Sequence, residues 1–207
     1  MAYFPFFVDL QARECYIFGG GAVASRKVLA LLEFGAKVTV VAPKVCEEIW
    51  QRKEEIRILL REYQEEDLEQ AFFVIAATNQ PAVNATIAED CEKRRILANV
   101  VDQPENGSCL FPAYLKQGDI TIGVTTSGKS PVMSGYIKKR IAEQIPEYYE
   151  RLVQKLGDYR EIIKLRVPTE KVRTRIFRKL AKLGVEKEGE LLAEDVELII
   201  KQEADSE

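Results

Sequence analysis

Three consecutive glycines, Gly19-Gly20-Gly21, follow the strand-type run Glu14-Cys-Tyr-Ile-Phe18 and open a helical run from Ala22 to Phe34. No other feature restricts the fold as much. A strand that enters a helix through a glycine turn marks a βα unit, and Gly19-x-Gly21-x-x-Ala24 gives each position a task. Gly19 permits the tight turn, Gly21 lets the backbone approach a pyrophosphate, and Ala24 lets helix and strand pack closely. The helix start offers free N–H groups and a positive dipole end to an anion. Gly35 suits the position just past the helix, and Lys37-Val-Thr-Val-Val41 reads as a second strand stopped by Pro43. The spacing predicts a dinucleotide-binding unit. The competing reading is a glycine-rich turn that binds nothing.

The rhythm continues. Cys46 to Glu55 reads as a helix, Ile56 to Leu60 as a strand, Gln64 to Gln70 as a short helix and Phe72 to Ala76 as a buried-type strand. Pro81 to Arg94 is a helix with proline at its start, and Ile96 to Val101 a fifth strand ending at Asp102. Alternating strands and helices predict the α/β class, a Rossmann-like parallel sheet with helices on both faces. After Asn106-Gly107 the texture changes. Ser108 to Phe111 and Ile120 to Thr125 read as further strands, with Gly118-Asp119 as a turn. Pro131 opens a helix carrying Met133, Ile137, Ile141 and Ile145. From Pro146 onward the chain reads as helices only, broken near Pro168 and Gly184.

In open α/β sheets ligands bind beyond the C-terminal ends of the strands. Thr78-Asn79 follows the fourth strand and Asp102 the fifth. Asp102 is a candidate acid/base or cation ligand, and equally a turn-forming Asp before Gln103-Pro104. The carboxylate that usually holds the adenosine ribose, at the end of the second strand, is missing: the sequence there is Val41-Ala42-Pro43-Lys44. Either backbone and the Pro43-Lys44 turn hold the ribose, or Lys44 meets a 2′-phosphate. NAD and NADP both remain open at this point.

Gly123-Val-Thr-Thr-Ser-Gly128-Lys129-Ser130 matches the P-loop pattern of nucleotide hydrolases. Gly123 lies inside a β-branched run rather than at its end, Pro131 follows at once, and only helical sequence comes after. A P-loop nucleotidase is therefore the lesser alternative. Thr126, Ser127, Lys129 and Ser130 still gather hydroxyls and a cation at a helix start, which suits a carboxylate-bearing ligand; Ser130 before Pro131 also reads as an ordinary helix cap.

Composition narrows the chemistry. The 207 residues include no His, which excludes Ser-His-Asp and Cys-His catalysis and His-ligated zinc. Cys15, Cys46, Cys91 and Cys109 form no CxxC pair and read as reduced thiols. No apolar run is long enough to span a membrane, and the first ten residues lack a basic leader. These features predict a cytoplasmic protein without membrane contact. Residues 160–182 hold nine basic against two acidic residues, and 186–207 nine acidic against two basic. A solvated helix face paired with the acidic tail explains the basic run better than nucleic-acid binding, given overall net charge −3.

Several blocks, in order, resemble one family. They are Phe4-Pro5-x-Phe7-x-Asp9-Leu10, Gly19-Gly20-Gly21-x-Val23-Ala24-x-Arg26-Lys27 and Val38-Thr39-Val40-Val41-Ala42-Pro43, then Ile75-Ala76-Ala77-Thr78-Asn79 with Asn84. Asn99-Val100-Val101-Asp102-x-Pro104, Phe111-Pro112 and Thr126-Ser127-Gly128-Lys129-Ser130-Pro131 complete the set. Over residues 4–131 the chain is similar to the siroheme synthase N-terminal family, whose members act as precorrin-2 dehydrogenases and in some cases as sirohydrochlorin ferrochelatases. The resemblance implies NAD as cofactor, contacts at Ala22-Val23 and Pro43-Lys44, and oxidation of precorrin-2 to sirohydrochlorin. It implies Asp102 as the acid/base residue, and as the residue handling Fe(II) where chelation occurs. It implies a homodimer formed through about 114–145. The corresponding division is 1–113 for the NAD-binding domain, 114–145 for the dimerisation segment and 146–207 for a helical C-terminal domain. Thr126 stands where a fused relative carries a phosphorylated Ser, and the sequence contains no methyltransferase module. Lys129 and the basic run are candidate partners for the substrate's carboxylates. An NAD(H)-binding redox sensor without catalysis is the alternative from the binding class.

Overall fold

A computed structural model describes residues 3–204. Its order is β1 (Glu14–Phe18), α1 (Ala22–Glu33), β2 (Lys37–Val41), α2 (Glu47–Trp50), β3 (Arg57–Leu59), β4 (Phe73–Ala76), α3 (Pro81–Arg94) and β5 (Leu97–Val100). Then follow β6 (Ala113–Gln117), β7 (Ile120–Val124), α4 (Pro131–Ala142), α5 (Tyr148–Arg166), α6 (Glu170–Glu186) and α7 (Ala193–Ala204). The chain divides into two compact units. One runs to Phe111 and takes in Ser127–Lys129; the other comprises Pro112–Thr126 and the chain from Ser130.

In the first unit five parallel strands lie in the order β3-β2-β1-β4-β5. Alternation along β1 explains the layering, since successive side chains point to opposite faces. Cys15 and Ile17 pack with Val38, Val40 and Ile75 against Ala24, Val28 and Leu31 of α1 and Ile49 of α2. Tyr16 and Phe18 pack with Val74, Ala76 and Val100 against Ile87 and Cys91 of α3 and Leu68. Helices thus cover both faces of a Rossmann-type sheet. Gly35 fills its expected role: at φ 72° it donates to Leu32 O (2.9 Å), while Ala36 donates to Leu31 O (3.1 Å). These two bonds close the end of α1 as a Schellman motif.

The second unit holds the antiparallel β6–β7 pair, α4, and the three helices α5, α6 and α7 around a core that includes Ile163, Val172, Ile176, Leu180 and Ile199. The acidic tail meets the basic run. Arg166 pairs with Glu197, and Arg175 and Lys179 both pair with Glu203; within the tail itself Lys187 lies 2.8 Å from Asp195.

Several sequence-based elements need correction. The strand after Gly107 is Ala113–Gln117, not 108–111. There Ser108 Oγ accepts from Ala98 N–H, and Ser108 and Cys109 N–H donate to Ala98 O, so the segment covers the edge strand β5 without extending the sheet. The helix expected over 46–55 is one turn, 47–50, followed by turns. The 64–70 helix is a 3-10 segment, Glu65–Leu68, and α4 stops at Ala142, short of Ile145. Gly184 does not break α6. A Cβ there would lie 2.2 Å from Leu152 Cδ1, so this glycine gives the buried Leu152 of α5 its space.

Candidate dinucleotide-binding site

Beyond the C-terminal ends of β1, β2 and β4 the first unit opens into a cavity of about 880 Å³. It lies where the strand order reverses, between β1 and β4. Gly19, Gly21, Ala22, Val23, Pro43, Lys44, Thr78, Asn79 and Asp102 all line it. Ala24 does not. It is fully buried on the sheet-facing side of α1, which is the packing task its position in the pattern predicts.

The glycines differ in what they permit. Gly19 has φ 130°, and a Cβ there would sit 2.2 Å from Ala77 O. Gly20, given no task by the sequence pattern, is as constrained: a Cβ would sit 2.0 Å from Lys44 O. Its own carbonyl accepts from Cys46 N–H at 2.7 Å. The turn after β1 is thus locked to the turns after β2 and β4. Gly21 is the opposite case. A Cβ there meets nothing within 4 Å, so its missing side chain leaves open space on the cavity wall. Gly21 is also the N-cap of α1, no side chain caps that helix, and its first turn holds no acidic residue. An open glycine at an uncapped helix start fits a pyrophosphate, which takes up N–H donors and favours the positive end of the dipole.

The β4 end is fixed by Asn84, buried in α3. Its Oδ1 accepts from Thr78 N–H (3.1 Å) and Thr78 Oγ1 (2.7 Å), and its Nδ2 donates to Thr78 O (3.2 Å). Thr78 Oγ1 in turn accepts from Gln80 N–H (3.1 Å). Asp102 lies at the lip in the left-handed region, φ 64°, exposed. Asp tolerates that conformation better than most residues, so the turn-forming and cavity-facing readings of Asp102 coexist. Among the described residues no three Cys, Asp or Glu side chains gather as a metal-holding group.

Of the proposed substrate residues, none lines the cavity. Thr126 Oγ1 accepts from Ser130 N–H (3.0 Å) and Ser130 Oγ accepts from Met133 N–H (3.3 Å), so both hydroxyls serve the start of α4. Ser127 (φ 55°) and Gly128 (φ 78°) form a left-handed turn, and a Cβ on Gly128 would lie 3.2 Å from Pro104 Cγ. Lys129 is exposed. The P-loop alternative fails on geometry. Gly123 sits inside β7, in a two-stranded antiparallel sheet, whereas a P-loop joins a parallel strand to its helix.

Sequence reasoning missed Glu62, Tyr63, Gln80, Val83 and Thr86, which also line the cavity. Gln80 sits in the turn after β4 as the N-cap of α3. Glu62 and Tyr63, after β3, and Val83 and Thr86, in α3, reach the strand ends through the tertiary fold. Tyr63 OH donates to Asp90 Oδ2 (2.9 Å), and burial together with that carboxylate pushes its phenol well above the usual range. Lys27 of α1 stands over the Phe111 ring, 3.6 Å from its centroid. Burial and the adjacent Arg26 pull its ammonium down from 10.5 to about 8.

A family model described as "Putative NAD(P)-binding" matches residues 6–113, just over half the chain. The chain belongs to this NAD(P)-binding family. Among curated proteins it is 37% identical over 182 residues to the siroheme synthase of Thioalkalivibrio sulfidiphilus. It is 36% identical over 186 residues to that of Nitrosospira multiformis. Each alignment covers 87% of the chain but only 37% and 39% of the respective relative, so the chain spans less than two fifths of their length. The solved structure of SirC, precorrin-2 dehydrogenase, is similar over 98% of this chain and 100% of its own, with TM-score 0.75 and 28% identity.

Proposed function

We propose that this protein is an NAD-dependent precorrin-2 dehydrogenase, forming sirohydrochlorin on the route to siroheme. One observation carries the reading. A dinucleotide cavity with a carboxylate at its lip belongs to a chain similar over its whole length to a precorrin-2 dehydrogenase. Gly19, Gly21, Ala22 and Val23 receive the pyrophosphate, Pro43 and Lys44 the adenosine side, and Thr78 and Asn79 the β4 side. Ala24 contributes through packing. When bound, NAD supplies the carbon that takes up hydride from the macrocycle. Asp102 takes a proton from the macrocycle as hydride leaves, holding it on a carboxylate oxygen. It lines the cavity from an exposed position at the lip, in reach of a ligand that enters there. Ser127 and Lys129 meet substrate carboxylates, and Thr126 and Ser130 hold the loop that carries them. Some members of the resembled family also insert iron; for that step Asp102 is the candidate ligand, and Fe(II) added after oxidation tests it.

The protein acts as a homodimer. In β6, β7 and α4 Ser134 is the one buried residue, while Val132, Met133, Tyr136 and Ile137 expose an apolar face of α4. A two-stranded sheet without a core is marginal by itself and calls for a further apolar cover. We assign that cover to a second copy. Light scattering gives twice the chain mass, and Tyr136→Glu with Ile137→Lys gives monomers; a monomeric wild type removes the assignment. The reaction belongs in the cytoplasm, a reading supported by four free cysteines. Among the described residues no helix is long and apolar enough to cross a membrane.

Asp102→Asn is the direct test of mechanism. Turnover falls by about 10²–10⁴-fold while NAD affinity stays at the wild-type level. Turnover retained in that variant removes Asp102 from the chemistry.

A further inference from the structure

We propose that Glu62 accepts the hydrogen bond of the adenosine ribose 2′-hydroxyl and so selects NAD against its 2′-phosphorylated form. The inference rests on the dinucleotide reading above. In this fold the ribose lies beyond the end of β2, where an acid ordinarily receives its hydroxyl. Here β2 runs out into Ala42-Pro43-Lys44, with no carboxylate. The neighbouring strand supplies one. Val41 is the register partner of Leu59, and Ala42 N–H donates to Leu59 O at 3.1 Å, so β2 and β3 end at the same level. Glu62 follows Leu59 by three residues and lines the same cavity as Pro43 and Lys44.

Its backbone is anchored on both sides. Before it, the Arg61 guanidinium makes a two-pronged pair with the buried Asp67 carboxylate, one prong at 2.8 Å, and donates to the Glu62 carbonyl at 3.0 Å. After it, the Tyr63 hydroxyl is tied to Asp90 and its ring meets Phe18 edge-on, centroids 4.9 Å apart. Arg61 is neutralised by Asp67 and so does not draw Glu62 away. No ion pair to another described residue occupies the Glu62 carboxylate, which is exposed on the cavity wall. A carboxylate at this place accepts from a hydroxyl and repels a phosphate dianion. Lys44, on the same wall, acts in the opposite direction, so Glu62 has to outweigh it.

Titration calorimetry with NAD and with NADP, on wild type and Glu62→Gln, tests this without substrate. The wild type binds NAD more tightly, and Glu62→Gln narrows the ratio of the two dissociation constants by about tenfold or more. The narrowing shrinks at high salt, because the group is exposed. A variant that binds NAD and keeps the wild-type ratio overturns the assignment and leaves the dinucleotide reading intact. A wild type that binds NADP as well as NAD overturns it equally. A wild type that binds neither overturns the dinucleotide reading itself.

Discussion

Gly21→Ala separates binding from folding at the glycine turn. The backbone at Gly21, φ −92° and ψ −173°, is one that alanine adopts freely, and the new methyl meets nothing within 4 Å. Alanine is the poorer N-cap, by about 0.5 kcal/mol, and the stiffer unfolded chain returns about the same. The melting temperature therefore stays within about 4 °C of wild type. The methyl nonetheless occupies the space assigned to the pyrophosphate. Displacing it breaks at least one charge-assisted bond from the first turn of α1, worth about 1.5–3 kcal/mol, so NAD affinity falls by about 10- to 150-fold. Gly20→Ala is the contrast. Its methyl would meet Lys44 O at 2.0 Å and Val45 Cα at 2.9 Å, both backbone atoms, and threaten the 2.7 Å bond from Cys46. That variant loses about 1–3 kcal/mol of stability as well as NAD affinity. Calorimetric titration and thermal melts on both variants provide the check. Wild-type NAD affinity in Gly21→Ala refutes a pyrophosphate seated on that glycine.

Two further variants probe the surroundings. Asn84→Ala leaves the Thr78 N–H and carbonyl without their partner, costing about 2–3 kcal/mol in a urea titration and weakening NAD binding through the loosened β4 end. Lys27 carries the pH dependence. Between about 8, its folded value, and 10.5, the unfolded chain holds the proton and the folded protein does not, so this group makes stability rise with pH there. The buried thiols Cys15 and Cys91, pushed up to about 12, act in the opposite sense above pH 9, where only the folded state keeps their protons. Lys27→Met retains the packing on Phe111, so the difference between its melts and those of wild type cancels the thiols. That difference narrows as pH climbs from 8 to 10; a constant difference contradicts a depressed Lys27.

The dinucleotide unit was legible because each step is local. Strand alternation, the glycine turn and the Gly35 cap act within a few residues, and they locate β1, α1 and β2. The strand-end positions Thr78 and Asp102 followed from the parallel order alone. What stayed hidden depends on tertiary partners. Gly184 reads as a helix breaker until Leu152 is seen to need its space. Segment 108–111 has strand composition, but its hydrogen bonds go to the edge of β5. Glu62 and Tyr63 follow a short edge strand without any motif, and only the register of β3 on β2 brings them to the cavity. Thr126 and Ser130 read as ligand groups in the sequence, and in the structure their hydroxyls accept from N–H groups at the start of α4.

The most direct test of the dehydrogenase assignment is anaerobic. Purified protein is mixed with enzymatically made precorrin-2, with and without NAD, and the visible spectrum is followed. The sirohydrochlorin spectrum, arising only with NAD and matched by an equal amount of NADH, is the predicted result. An unchanged spectrum from protein that binds NAD contradicts the assignment and favours an NAD(H)-binding sensor.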